Sequence, residues 1–355
     1  MNNPIFSRKI TRTIQIGSVK IGGLNPISIQ SMTNTKTADV QKTVSQIHQL
    51  EKAGCEIVRL AVPDESSAKA ISQIKQNINI PLIADIHFDY KLALAALDAG
   101  TDGLRLNPGN IGSRQKVKKI VDAAREKKIP IRIGVNSGSL PKHIIRKFGL
   151  TSEGIVEAAL EHVKILEEEN YGELKISVKT SSVPLTIDSY RLLSKNVDYP
   201  LHLGVTEAGL EFAGTIKSAT GIGTLLAEGI GDTIRVSLTS DPLREIEVAK
   251  QILISLGLKK GLQIIACPTC GRTEINLQKL AEDTEKKLSD LNHLNLKIAV
   301  MGCVVNGPGE AADADFGIAG GRKEGLLFKK GKIIKKVPEN LLLSELETLI
   351  RNEIK

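Results

Sequence analysis

The chain has no tryptophan, and aromatic residues make up only 3% of its 355 residues. A platform of stacked aromatics for single-stranded nucleic acid is therefore not expected, and no recognised nucleic-acid-binding motif offsets the lack. Its four cysteines are too sparse for a disulfide framework in so long a chain, which points them toward metal or redox chemistry. No apolar run reaches the roughly 18 residues that suggest a membrane span, and the opening "MNNPIFSRKITRTIQIG" lacks the continuous apolar stretch of a secretory signal. The expectation is a cytoplasmic protein that takes neither membrane nor nucleic acid as a partner. The phosphate-loop pattern GxxxxGKS/T is missing, and no GxGxxG follows the first strand. The Gly-rich "GIGTLLAEGIG" falls in or beside a helical segment, where its glycines read as turn and packing positions.

What is present is a substantial core, with 41% hydrophobic residues. The length exceeds that at which single cores stop growing, so one large domain plus a smaller one is expected. The net charge of +8 includes Lys-rich runs such as "KVKKI" and "KKGKIIKK", which read as solvated faces. Arginines gathered at a cleft would instead mean an anionic ligand.

From about residue 25 to 256 one unit repeats: a short β-branched run, a polar or Gly-containing loop, then apolar residues at helical spacing. Eight such runs are present: "PISIQSM", "EIVRLAV", "PLIADI", "GLRL", "IPIRIGV", "LKISVK", "PLHLGV" and "DTIRVSL". Eight strand-helix units in this length fit an α/β chain folded as a (β/α)8 TIM barrel, with a doubly wound sheet as the alternative. We assign residues 1–256 to this substrate-binding domain and "GLKKG", 257–261, to a linker. Residues 262–355 form a smaller α+β domain. Its expected elements are strands at "LQIIA", "KIAVMG", "FGIAG" and "GKIIKKV", a helix near 273–290, and a terminal helix with Pro338 near its start.

Active sites of such barrels gather at the carboxyl ends of the strands. Arg59, Arg105, Arg132, Lys179 and Arg235 all fall within or just after five of the runs. One reading pairs each with a barrel carboxylate or carries its charge to the rim along a buried stem. Five from five strands point instead to a cationic mouth for a compact polyanion, because guanidinium forks match phosphate oxygens and unpaired buried charge is costly. A diphosphate fits better than a monocarboxylate. "ADIHFD" adds Asp85, His87 and Asp89, and "HLGVTEAG" adds His202 and Glu207, as groups able to donate, accept or position protons. Asp89 also suits a helix cap. Asn107, Asn136 and Ser181 supply neutral hydrogen bonds.

Cys267 and Cys270 form a C-x2-C pair, Cys303 follows after thirty-two intervening residues, and Glu310 lies a short step beyond. Cys55, at the start of the second barrel run, reads as a buried small hydrophobe. A structural zinc site needs a fourth Cys or His, and none lies beside these cysteines. A thioredoxin-like pair leaves Cys303 unexplained. An iron-sulfur cluster usually takes four cysteines, so three leave one iron open or completed by an oxygen ligand such as Glu310. A replaceable ligand of that kind suits a catalytic cluster.

The segments "CPTCGRT" and "MGCVVNGPGE", behind "SMTNT", "VRLAVP", "ADIHFD", "LRLNPGN", "IRIGVNSGSL", "SVKTS", "GVTEAG" and "IRVSLT", closely resemble the bacterial 4-hydroxy-3-methylbut-2-enyl diphosphate synthase family in its two-domain form. The resemblance implies a 4Fe-4S cluster held by Cys267, Cys270, Cys303 and Glu310. It implies the substrate 2-C-methyl-D-erythritol 2,4-cyclodiphosphate, which two electrons from reduced flavodoxin or ferredoxin convert to the linear allylic diphosphate of the methylerythritol phosphate route to isoprenoids. Arg59, Arg105, Arg132, Lys179 and Arg235 match the family's substrate-binding cations, with His87, Asn107, Asn136, Ser181 and Ser237 as polar neighbours. Glu207 and His87 are the candidate catalytic groups beside Glu310. The family also suggests a homodimer in which one subunit's cluster domain covers the other's barrel.

Three other readings compete. A pterin-dependent barrel fits five strand-end cations poorly, since a flat ring calls for acidic and amide groups. An electron carrier with an anion-regulated barrel would lack turnover, and a basic nucleic-acid binder would show strongly salt-dependent RNA affinity.

Overall fold

The structure is a computed structural model that describes residues 7–303, 309 and 311–354. The chain forms two compact units, Met1–Leu258 and Lys259–Lys355.

The first unit is the expected barrel. Its strands are β3 (Ser28–Met32), β4 (Ile57–Ala61), β5 (Leu82–Asp85), β6 (Gly103–Leu106), β7 (Ile131–Asn136), β8 (Leu174–Lys179), β9 (His202–Leu203) and β10 (Thr233–Ile234). They lie in the order β8-β7-β6-β5-β4-β3-β10-β9, with every pairing parallel. A parallel bridge between Ile176 and Leu201 brings the two ends of that order together. Each of the eight runs read from the sequence holds one of these strands.

Side chains alternate across a strand, so each run divides between two environments. Leu104, Leu106, Ile131, Ile133, Val135, Leu174, Ile176 and Val178 are buried in the hydrophobic core with the surrounding helices. The intervening positions face the barrel axis, and there they are strongly polar: Arg105, Arg132, Lys175, Ser177 and Lys179, all buried.

Two short strands absent from the sequence reading precede the barrel: β1 (Ile14–Ile16) and β2 (Val19–Ile21), an antiparallel hairpin. Three-residue strands give too little alternation to detect. Ile14, Ile16 and Ile21 cluster with Ile57 and Ile83, and a Cβ placed on Gly103 would lie 3.2 Å from Ile83 and 3.6 Å from Ile16. The hairpin therefore seals the amino-terminal end of the strands with an apolar plug, leaving the carboxyl end for ligands.

The second unit is a five-stranded sheet in the order β11-β12-β13-β14-β15. β11 (Leu262–Ala266), β12 (Leu296–Met301) and β13 (Phe316–Ala319) are parallel, and β14 (Glu324–Lys329) and β15 (Lys332–Pro338) continue antiparallel. Ile298, Val300, Ile318 and Leu327 pack with Leu277, Leu342, Leu346 and Ile350, residues of helices Leu277–Lys287 and Leu342–Glu353. Ala299, Met301, Ala319 and Phe328 form a smaller cluster.

Three expectations change here. "EGLLFK" is a full strand, β14, hidden because its central residues are continuously buried rather than alternating. The helix expected near 273–290 spans Leu277–Lys287, since 267–274 form the cysteine loop. Pro338 ends β15, and the terminal helix begins only at Leu342. Edge strand β15 is mostly exposed and carries Lys332, Lys335 and Lys336, charges that discourage pairing with another chain.

Replacing Ile16, 2% exposed within the plug, by alanine should cost about 2–5 kcal/mol of stability. Equilibrium chemical denaturation of wild type and Ile16→Ala measures it.

Candidate functional site

Asp85, the last residue of β5, is 4% exposed. It accepts a hydrogen bond from Arg105 Nη1 at 3.0 Å, and Arg59 Nε stands 3.5 Å from its other oxygen. Strand register makes this geometry: Asp85 pairs with Arg105, and Arg105 with Arg132. Burial opposes the charge on Asp85, but Arg59, His87, Arg105 and Arg132 outweigh it and hold the carboxyl well below its usual range. His87 Nε2 lies 3.2 Å from Arg105 Nη1 and 3.7 Å from Asp85, with its ring largely exposed.

Two glycines let these long side chains lie across neighbouring strands. A Cβ on Gly134 would sit 2.8 Å from Arg105 Nε, and one on Gly204 would sit 2.5 Å from Lys179 Nζ. Neither was singled out from the sequence, because a glycine in a strand gives no sign of what approaches it.

Arg235 is held differently. Its Nη2 lies 3.6 Å from Glu245, a buried carboxylate that also accepts from the Leu238 amide at 3.0 Å and Ser31 Oγ at 3.3 Å. Three of the five cations thus do pair with barrel carboxylates: Arg59 and Arg105 with Asp85, and Arg235 with Glu245. Arg132 and Lys179 form no ion pair among the described residues, although they are 4% and 7% exposed. Burial, reinforced by neighbouring cations, pushes both well below their usual values. Arg59 is pushed down to about 10 by burial despite Asp85. A guanidinium does not give up its proton in practice, so for Arg132 the result is a charge lacking a counterion.

The remaining expected residues spread along the same face. Asn136 ends β7, half-buried, in register with Lys179. Asn107 is buried and its Oδ1 accepts from the Gly109 amide at 3.1 Å, capping the short helix Pro108–Ile111; only its amide nitrogen remains for a ligand. Ser181 is exposed after β8, and Ser237 is half-buried after β10. Glu207 is exposed beyond β9 with φ 52°, a left-handed conformation unusual for a non-glycine residue. Asp89 caps the helix Tyr90–Asp98. His202 is fully buried, its Nδ1 2.6 Å from Thr233 Oγ1. Cys55 is buried and its thiol is pushed up to about 12, chiefly by desolvation.

The cysteine segments occupy one end of the second unit. Ala266 at the end of β11 is in register with Val300 of β12, so Cys267 and Cys303 leave adjacent parallel strands in the same direction. The Gly302 amide donates to Cys267 Sγ at 3.2 Å. The 267–274 loop is pinned by the Thr273 amide to the Cys270 carbonyl, by the Cys270 amide to Thr273 Oγ1, and by the Glu274 amide to the Gly302 carbonyl. A backbone hydrogen bond at Arg272 draws the exposed Cys270 thiol below its usual value, with burial opposing. An amide aimed at one sulfur and a thiol biased toward thiolate fit a thiolate-bound metal group. Glu310 lies outside the described residues. Among the described residues, no three His, Cys, Asp or Glu side chains are grouped as a metal site.

Comparison with known proteins adds to this geometry. The family model for the GcpE TIM-barrel domain matches residues 11–250, and that for the GcpE C-terminal domain matches residues 263–352. A 4-hydroxy-3-methylbut-2-en-1-yl diphosphate synthase (flavodoxin) of Caldanaerobacter subterraneus subsp. tengcongensis is 60% identical over 353 residues, 99% of each chain. The Clostridium acetobutylicum protein of the same name is 59% identical over 344 residues, 96% of this chain and 98% of its own. Among solved structures, 3-dehydroquinate dehydratase from Geobacillus kaustophilus superposes with TM-score 0.50 at 14% identity, over 69% of this chain and 96% of its own, a likeness of fold alone.

Asp85→Asn keeps the shape but leaves two buried guanidiniums sharing no charge, so a loss of about 3–5 kcal/mol is expected. Because the folded-state pKa is depressed, the wild-type contribution is present above the unfolded value near 3.8 and fades as pH falls below it. Denaturation curves across acidic pH should show this slope in wild type and its absence in the variant.

Proposed function

Because the chain belongs to the GcpE family, we propose that it reduces 2-C-methyl-D-erythritol 2,4-cyclodiphosphate to 4-hydroxy-3-methylbut-2-enyl diphosphate. It is an iron-sulfur oxidoreductase of the methylerythritol phosphate route to isoprenoids. The reaction takes up two electrons and two protons, opens the ring and releases one water. The observation that carries this reading is the 60% identity across 99% of the chain, and the cationic barrel mouth supports it.

The diphosphate binds at the carboxyl ends of the strands. Arg132 and Lys179 meet it with charges that form no ion pair among the described residues, while Asp85 and Glu245 hold Arg59, Arg105 and Arg235 in orientation beside them. Preorganised cations aimed at a diphosphate stabilise charge without reorganisation during the reaction. Asn136, Ser181, Ser237 and the Asn107 amide add neutral hydrogen bonds. His87, in contact with Arg105 and Asp85, moves or holds a proton near the phosphate. Glu207, exposed beyond β9 with a left-handed backbone, donates or positions the proton that leaves with the departing oxygen.

Cys267, Cys270, Cys303 and Glu310 would hold a 4Fe-4S cluster. When bound, the cluster supplies low-potential electrons one at a time and a Lewis-acidic metal. Reduced flavodoxin or ferredoxin is the donor. The functional unit is a homodimer in which a second copy's cluster-bearing unit covers the barrel mouth. The exposed Phe88, in the loop after β5, and Leu210 and Phe212, at the start of the helix Glu211–Ala227 that follows β9, supply an apolar rim for such a cover. No helix among the described residues is long and apolar enough to cross a membrane, and we assign the protein to the cytoplasm.

The test is anaerobic purification with iron and sulfide, visible and EPR spectra, and turnover of the cyclodiphosphate with a chemical reductant. The linear allylic diphosphate is the expected product. Lys179→Ala should lower kcat/KM about ten- to a hundredfold, the worth of one charge-assisted hydrogen bond. A colourless protein that leaves the cyclodiphosphate intact would overturn the proposal.

A further inference from the structure

Beneath the mouth, the barrel interior holds a second set of polar atoms that the proposed chemistry leaves unused. Lys175 is 1% exposed and its Nζ meets no hydrogen-bond partner. Arg132 Nε and Nη1, His202 Nε2, and both Nε2 and Oε1 of Gln30 are likewise buried without partners. Their parent residues are 4%, 0% and 1% exposed respectively. Lys175 precedes Lys179 by four residues on β8, which sets its backbone deeper by about 13 Å.

Strand register sets these residues on four strands of the one closed barrel. Lys175 pairs with Arg132 across β8 and β7. The Ile176 to Leu201 bridge sets β8 against the start of β9. His202 pairs with Thr233, and Thr233 with Ser28, two residues before Gln30 on β3. Strands β3, β7, β8 and β9 therefore each contribute one inward polar side chain to the lower barrel.

The chemistry of these atoms is one-sided. An ammonium, a guanidinium edge and an amide NH2 are donors. His202 joins them in the tautomer whose Nδ1, 2.6 Å from Thr233 Oγ1, accepts from that hydroxyl and whose Nε2 carries the ring proton. Gln30 Oε1 is the one acceptor in the set. A buried water takes about two to four polar partners but brings no charge, whereas a ring of donors with positive charge suits an anion. The carboxylate nearest Lys175 electrostatically, Asp232, is already engaged by Arg8 at 3.1 Å, Thr11 at 3.1 Å and the Leu201 amide at 2.9 Å. Burial, then Arg132 and Arg59, push the Lys175 ammonium well below its usual value, the cost of leaving that charge without a counterion.

We propose that this layer is a built site for a small monovalent inorganic anion, a halide, held by Lys175, Arg132, His202 and Gln30 below the diphosphate-binding mouth. Its role is to neutralise the barrel floor and to fix Arg132 from beneath, so that the guanidinium keeps its remaining donors for the ligand above. Nothing in it depends on which diphosphate binds at the mouth. A single compact ion suits the inside of an eight-stranded barrel, where side chains leave little room.

Thermal unfolding of the full chain in sodium chloride and in sodium gluconate, at equal ionic strength, tests the site. Chloride should raise the wild-type midpoint in a saturable way, and Lys175→Met should lose that response. Gln30→Leu, which keeps every charge, should shift saturation to higher chloride and serves if the lysine variant does not fold. Anomalous diffraction from bromide-soaked crystals should place bromide within hydrogen-bond distance of Lys175 Nζ. Equal wild-type midpoints in the two salts, or bromide found only at the mouth or the outer surface, would overturn the proposal.

Discussion

The charge balance inside the barrel governs the rest of the first unit. Arg59, Arg105, Arg132, Lys175 and Lys179 are each 8% exposed or less, and the carboxylate within ion-pair distance of any of them is Asp85 alone among the described residues. One carboxylate against five cations is an arrangement that folding alone does not favour, because unpaired charge in a dry interior is destabilising. The fold accommodates it by placing the apolar stabilisation elsewhere: in the shell between strands and helices, and in the isoleucine plug at the strands' amino-terminal ends. What remains at the carboxyl end is a preformed demand for an anion.

That demand explains the local geometry better than catalysis by any single residue would. Asp85 orients two guanidiniums, Glu245 orients a third, and Gly134 and Gly204 give Arg105 and Lys179 room to lie across their neighbours. The second unit solves a different problem. Parallel strands β11 and β12 release their cysteines at the same end, and backbone amides tie the two cysteine segments together. In the proposed reading, anion binding and electron delivery are thus built on separate scaffolds, each ordered by its own sheet.

Much of this was legible in the sequence because the barrel strands are short β-branched runs with turn residues between them. The inward cations stood out because Arg among Ile and Val at a strand end has no ordinary packing role. Lys175 escaped attention although the two-residue period that points Lys179 inward points Lys175 inward too; a lysine in the middle of a run reads as solvent-facing until the barrel closes around it. Gln30 gave no signal for the same reason. The pairing of Arg59 and Arg105 through Asp85 depends on register between three strands, which no single run encodes. The β1–β2 plug was too short to show a period, and β14 was masked by burial on both faces.

The proposed function requires that the barrel alone bind the diphosphate, through Arg132 and Lys179, which form no ion pair among the described residues. Calorimetric titration of the cyclodiphosphate into metal-free full-length chain, comparing wild type with Arg132→Leu, tests it most directly. The account predicts binding without the cluster and a loss of about tenfold or more in affinity for the variant. Absence of binding by the metal-free wild type, or equal affinities for the two chains, would contradict it.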